Sequence, residues 1–207
     1  MGNPWEEIEL SDYENHMSLE SVFQLQILNK MMKEQFEAYS INTIMILGIA
    51  GGNGLEHINK EQIKKVYGID VNPNFLNECK RRYHDLGDVF EPVCVDLLDD
   101  DLQLPCSELL IANLLVEYIG YECFKKIIEL VNPLYVSCII QINTSDSFVS
   151  DSPYIHAFDC LGEIHHQMEE SNLIDCMKKM DYCMKRSEEQ ILPNGKKFIR
   201  LDFSHIS

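Results

Sequence analysis

Four places in the chain combine residue types able to hold a ligand. The first is the run Gly48-Ile49-Ala50-Gly51-Gly52-Asn53-Gly54, nearly free of side chains at its apex. Such a loop turns tightly and lets backbone N–H groups approach a ligand that any Cβ would exclude. The second is Asp70, about twenty residues further on, where a carboxylate can accept two hydrogen bonds from a ribose diol. Asp96 and Asn113 are the third and fourth. Proton-handling groups lie elsewhere: Glu117 and Tyr118, then Tyr154 and His156 in a polar stretch that also holds Asp159, Cys160, His165 and His166. A neutral imidazole near pH 7 can take a proton from an incoming nucleophile, which makes Tyr154, His156, Glu117 and Tyr118 the catalytic candidates. The His, Cys and Asp residues of this stretch match no compact zinc spacing, so no metal site is predicted.

These residues fall at the ends of elements that the hydrophobic pattern defines. Thr43 to Ile49 is a continuous apolar run, the mark of a strand buried on both faces. Val66 to Ile69 is a second strand ending at Asp70, Pro92 to Val95 a third ending at Asp96, and Leu109 to Ala112 a fourth ending at Asn113. Asn72 followed by Pro73 reads as an N-cap and first helical residue, opening a helix to about Tyr83. Glu122 to Val131 reads as a helix stopped by Asn132-Pro133, and Leu134 to Ile142 as a fifth strand. Residues 143 to 166 are too long for an ordinary connection and form a candidate functional loop. A helix around Ser171 to Met180 precedes two strand-like runs, Tyr182 to Leu192 and Lys196 to Ser204, joined by the hairpin signal Asn194-Gly195. Upstream, an acidic segment of residues 1 to 17 leads to Ser18, which can cap a helix carrying Leu19, Val22, Leu25, Leu28, Met32 and Phe36 on one stripe. Strands alternating with helices predict an α/β, doubly wound, mostly parallel sheet closed at one edge by an antiparallel hairpin.

In an open sheet of this kind, ligands bind beyond the carboxyl ends of the strands, where the four sites above lie. Their order resembles the class I methyltransferases that use S-adenosylmethionine. The resemblance covers about residues 43 to 205 through ILGIAGGNG (46 to 54), YGIDVNP (67 to 73), VCVDLLD (93 to 99) and LLIANLLVEYI (109 to 119). It implies a Rossmann-like sheet of about seven strands over residues 41–207, with 1–40 as an N-terminal lid or flank. It implies S-adenosyl-L-methionine as cofactor and S-adenosyl-L-homocysteine as product. By position, Gly48, Ala50 and Gly52 would accommodate the methionine moiety, Asp70 with Val71 the ribose, and Asp96 with Leu97 the adenine, while Asn113 and Leu114 would lie beside the reacting methyl. Two departures stand out. Ile46 occupies the place where the family usually carries an acid, and Ala50 replaces the middle glycine.

Each assignment has a plainer counterpart. Asp70 could form a simple strand-end turn, yet the glycine loop at the right distance favours the ribose role. Asp96 opens a run with Asp99, Asp100 and Asp101 that could equally be a solvated acidic turn. Trp5, Tyr13 and His16 could cover the site or merely staple the first helix to the sheet. Two other functions compete: a non-catalytic S-adenosylmethionine-binding module, and an NADP-dependent enzyme similar to the short-chain dehydrogenases. For the latter, Gly48, Gly52 and Gly54 fit that family's loop, and Tyr121 with Lys125 forms a Y-x-x-x-K pair. Against it, Tyr121 follows the loop far too closely, and both the hairpin ending and the long prelude are foreign to that family.

Composition narrows the partners. With 34 Asp+Glu against 17 Lys+Arg and a net charge of -17, the surface repels phosphate backbones and anionic headgroups. The Asn-Pro-Pro-Tyr-like motif of amino-group methylation in DNA is absent, since the fourth strand runs into Asn113-Leu114-Leu115-Val116. A small-molecule acceptor, or a protein, is therefore expected, with nucleic acid disfavoured. Eight cysteines without a C-x-x-C pair, no signal-like N-terminus and no apolar span predict a cytoplasmic protein with reduced, buried thiols and no membrane partner.

Overall fold

The apolar run at Thr43–Leu47 (β1) sits inside a 7-stranded sheet of order β3-β2-β1-β4-β5-β7-β6. The computed structural model describes residues 2–143 and 147–206. Its other strands are Lys65–Asp70 (β2), Phe90–Cys94 (β3), Leu109–Asn113 (β4), Tyr135–Ile142 (β5), Tyr182–Ile191 (β6) and Lys197–His205 (β7). The first five run parallel, and β7 is antiparallel to both β5 and β6. The α/β, doubly wound architecture with a closing hairpin is as the sequence predicts.

β1 and β4 are apolar throughout because both faces are covered. Met45, Leu47, Leu110 and Ala112 pack against Phe124, Ile127 and Val131 of helix Val116–Val131 (α4) and Leu173 and Met177 of Glu170–Lys178 (α5). Ile44, Ile46, Leu109 and Ile111 pack against Met32 and Phe36 of Gln24–Glu37 (α2) and Leu76 and Cys79 of Pro73–Arg82 (α3). Because β1 connects to β2 on one side and β4 lies on the other, the chain diverges at their carboxyl ends and leaves a crevice there.

The N-terminal region differs from the sequence reading. Ser18 does not open a helix; it ends a preceding one, Leu10–Ser18 (α1), and α2 starts at Gln24. The N–H groups of Val22 and Phe23 both donate to the Leu19 carbonyl, and Phe23 takes φ 55°, so the chain reverses where the apolar stripe looked continuous. Gln26 Nε2 caps the end of α1 by donating to the Ser18 carbonyl at 2.8 Å. Likewise, α4 begins at Val116, upstream of the predicted Glu122, because Gly120 at φ 72° kinks it into two parts. The thiols need a correction too: Cys79, Cys138 and Cys176 are buried, but Cys94 and Cys106 are exposed.

A buried polar chain ties α2 to the end of β4. Gln35, fully buried, donates through Nε2 to Asn113 Oδ1 at 2.9 Å and to Ser137 Oγ at 2.8 Å, and accepts from Asn113 Nδ2 at 2.9 Å. Ser137 in turn donates to Asp202, which accepts two bonds from the buried Arg200 at 2.9 and 2.7 Å. Each buried polar group left without a partner costs about 1–3 kcal/mol. Gln35→Leu leaves the Asn113 amide without its partner and takes one bond from Ser137, which keeps its bond to Asp202, so it is expected to lower stability by about 1–3 kcal/mol, read as a reduced midpoint in urea unfolding.

Candidate functional site

The crevice opens into a cavity of about 720 Å³, counting the space at its mouth. Gly48, Ala50, Asp70 and Val71 line one side, and Asp96, Leu97, Asn113 and Leu114 another. Thus eight of the nine residues expected at a cofactor converge from the ends of four strands. Asn3, Trp5, Tyr13 and Phe75, of which only Trp5 and Tyr13 were expected near the site, also line it, as do Leu115 and Tyr118.

Asp70 organises this space. Its Oδ2 accepts the Ala50 N–H at 2.8 Å and its Oδ1 the Asn72 N–H at 2.9 Å. Burial pushes its carboxyl above the ordinary carboxylate range, and the N–H groups of Asn72, Ala50 and Val71 offset part of that. A carboxylate has about four acceptor positions, so each oxygen keeps capacity for a ligand. Gly48 stands at φ 66° and Ala50 at φ 48°, both left-handed. A side chain at such a φ costs about 1–2 kcal/mol, which Ala50 bears with the help of its bond to Asp70.

Gly52 departs from its expected role. It does not line the cavity: a Cβ there would lie 2.6 Å from Cys79 Sγ and 2.7 Å from Tyr83, so its bareness serves the packing of the loop onto α3. Ile46 lies in the apolar cluster beneath α2, a place that an acid could occupy only without solvent. Asn113 reaches the cavity, but its side-chain amide is committed to Gln35. Asp96 accepts from the Leu98 N–H at 2.9 Å and from Asn3 Nδ2 at 3.0 Å, whereas Asp99, Asp100 and Asp101 are exposed. The N-terminal segment is further held by Asn72 Nδ2, 3.0 Å from the Trp5 carbonyl, and by the ion pair of Glu14 with Arg82.

A second cavity of about 520 Å³, again counted to its mouth, adjoins the first and shares Trp5, Tyr13, Leu114 and Tyr118 with it. Here the catalytic candidates separate. Glu117 and Tyr118 line it; Tyr154 and His156 do not. His156 is exposed, with Nδ1 3.2 Å from Asp159, and Tyr154 packs beside Phe158 in the cluster under the loop. The histidines that do face the cavity are His16, bonded to Ser152 Oγ at 2.7 Å, and His165, stacked on Phe148 at 4.1 Å. Burial lowers both to about 4, so they are neutral at pH 7. His16 was expected near the site from the sequence, whereas spacing could not single out His165, which is turned inward by its stacking on Phe148. Residues 144–146 of the predicted loop lie outside the described residues. Cys160 points to the Pro4 carbonyl at 3.7 Å, away from the histidines, and no group of metal-ligating residues occurs among the described residues.

The Y-x-x-x-K pair lies on α4 beyond the Gly120 kink. Tyr121 packs against the core, Lys125 pairs with Glu122, and neither lines either cavity.

No family model and no curated protein sequence matches the chain. Solved structures do. The methyltransferase domain of bacterial CtHen1 matches at TM-score 0.67 and 14% identity, over 86% of this chain and 97% of that one. Geranyl diphosphate methyltransferase in complex with S-adenosylmethionine matches at 0.64 and 9%, over 87% and 85%. The fold is that of the class I methyltransferases. The [4+2]-cyclase SpnF matches at 0.64 and 9%, over 86% and 80%, so the methyltransferase fold also carries other chemistry and the site must decide the function.

Glu117 supplies a prediction of its own. It is 3% exposed, and burial pushes it up to about 7 despite the N–H groups of Glu117 itself and Gln141. Its folded value exceeds its unfolded 4.5, so between these the folded state binds more protons and stability falls as pH rises. At 1.36 kcal/mol per unit, about 3 kcal/mol is lost by the time pH has risen through 7. Glu117→Gln removes this component, so its melting temperature relative to wild type is expected to climb between pH 5 and 8.

Proposed function

We propose that the chain is an S-adenosylmethionine-dependent methyltransferase acting on a small molecule. The observation that carries this reading is the position of Asp70: a buried carboxylate with free acceptor capacity, facing the same cavity as the Gly48 to Ala50 turn and Leu97. Asp70 would hold the ribose hydroxyls, with Val71 beside it. Leu97 would flank the adenine, whose amino group Asp96 would receive in exchange for Asn3. Gly48 lines the cavity where a Cβ would already meet Leu115 at 3.1 Å, so its bareness leaves room for the methionine moiety. When bound, S-adenosylmethionine supplies a methyl on a sulfonium, whose C–S bonding pair stays on sulfur as the acceptor's lone pair forms the new bond.

The protein's part is then mainly to position and enclose the reactants. Trp5 and Tyr13 wall both cavities, which supports a lid role for the N-terminal segment that carries them. Among the described residues no lysine or arginine lines either cavity, and with the net charge of -17 this favours an acceptor that is neither nucleic acid nor a phosphate ester. No helix among the described residues is long and apolar enough to cross a membrane.

Calorimetric titration with S-adenosylmethionine, S-adenosylhomocysteine and NADP tests the reading. The first two are expected to bind, and Asp70→Ala to weaken them by about 10- to 100-fold, as lost hydrogen bonds to a charged group imply. Binding of NADP alone would instead favour a dehydrogenase. Tight binding of the first two without methyl transfer to a broad acceptor panel would favour a non-catalytic module.

A further inference from the structure

The second cavity has no occupant in the cofactor reading, and its chemistry is one-sided. Glu117, in the first turn of α4, is 3% exposed, and its Oε2 has no hydrogen-bond partner among the described residues. A buried carboxylate with one oxygen left without a donor or a cation is costly in its charged form. Among the described residues no lysine or arginine lines the cavity to relieve it. The nearby Lys196 is spent on the Phe148 carbonyl, 2.6 Å from its Nζ.

The walls are aromatic. Trp5 meets Tyr118 edge-on at 5.0 Å and Tyr13 at 6.2 Å, and Phe148 and Phe158 also line the cavity. Ring faces attract organic cations, and a carboxylate among them supplies the counter-charge. A carboxylate or phosphate ligand would find no lysine or arginine of the described residues here to offset its charge, and an alcohol would leave Glu117 in its neutral form and gain nothing from its ionisation. We infer that this cavity is the acceptor site and that it takes a small organic amine, with the Glu117 carboxylate as its counter-ion. Its role as acceptor rests on the methyltransferase reading; amine binding does not.

An amine arrives as the ammonium ion. One of its protons moves to Glu117 Oε2, leaving a neutral amine beside a neutral carboxyl and giving the nitrogen the lone pair that accepting a methyl group requires. The upward push on the Glu117 carboxyl by burial brings it closer to the ammonium and eases that transfer. The titratable groups around Glu117 do not compete for its charge. Tyr118 and Tyr121 on α4, Tyr13 from α1 and Cys138 from β5 are held protonated by burial. His16 and His165 are held neutral, and His166 approaches through its backbone N–H, 2.7 Å from the Glu117 carbonyl.

The test is calorimetry on the full chain with three amines of increasing bulk, propylamine, 2-phenylethylamine and tryptamine, each against its alcohol, with and without S-adenosylhomocysteine. At least one amine is expected to bind about tenfold or more tightly than its alcohol, and Glu117→Gln to abolish that preference. On the unmodified protein at pH 6.5, the heat measured in two buffers of different ionisation enthalpy is expected to show proton release as Glu117 ionises against the cation. With S-adenosylmethionine present, the preferred amine is expected to gain a methyl group by mass spectrometry. Alcohols binding as well as all three amines, a preference that survives in Glu117→Gln, or binding without proton release overturns the amine site. An amine bound with this preference but never methylated overturns its role as acceptor. Failure of S-adenosylhomocysteine to bind, with the amine preference intact, sinks the methyltransferase reading and leaves the amine site standing.

Discussion

The Asp70 carboxylate joins three parts of the molecule that are remote in sequence. Its Oδ2 holds the Ala50 N–H, which keeps the turn after β1 in its left-handed conformation, and its Oδ1 holds the Asn72 N–H. Asn72 then caps α3 by accepting from Asn74 and Phe75, and its amide donates to the Trp5 carbonyl at 3.0 Å. The glycine turn, the start of α3 and the N-terminal wall of the cavity therefore all take their positions from one end of β2. Removing that carboxylate frees two backbone N–H groups and the loop they belong to, so the shape of the site and the integrity of this corner of the fold cannot be separated.

Two acids are buried beside the ligand space, and their surroundings differ in a way that assigns them different work. Asp70 receives backbone N–H groups on both oxygens, which stabilise its charged form where it stands. Glu117 has one oxygen with no partner among the described residues. An acid satisfied by the backbone suits a fixed recognition role, whereas an acid left short of partners suits a role in which charge or a proton changes hands. The excess negative charge of the chain as a whole lies mostly on its solvated surface. It says less about chemistry than these two groups do.

Much of the fold was legible because its signals are local. The uninterrupted apolar runs of β1 and β4 reflect burial on both faces, Asn72-Pro73 marks a helix start by its own geometry, and Asn194-Gly195 supplies the φ of 82° that its turn needs at Gly195. Asp70 was legible because strand ends in such a sheet face the ligand crevice. The rest depended on tertiary contacts. The stripe from Leu19 to Phe36 keeps helical spacing across a chain reversal, and spacing alone cannot show that Ser18 closes one helix before α2 begins. Gly52 looked like a ligand glycine, but Cys79 and Tyr83 press on it from α3. Among the loop histidines, His156 points to water and His165 inward, a choice made by stacking on Phe148 that no spacing records.

The crystal structure of the chain grown with S-adenosylhomocysteine tests the central claim most directly. Ribose hydroxyls within about 3 Å of the Asp70 carboxylate oxygens, with the Asp70 bonds to Ala50 and Asn72 intact, are expected. A ligand bound elsewhere on the molecule, or bound in this cavity with Asp70 making no contact to the sugar, would contradict the assignment of the site.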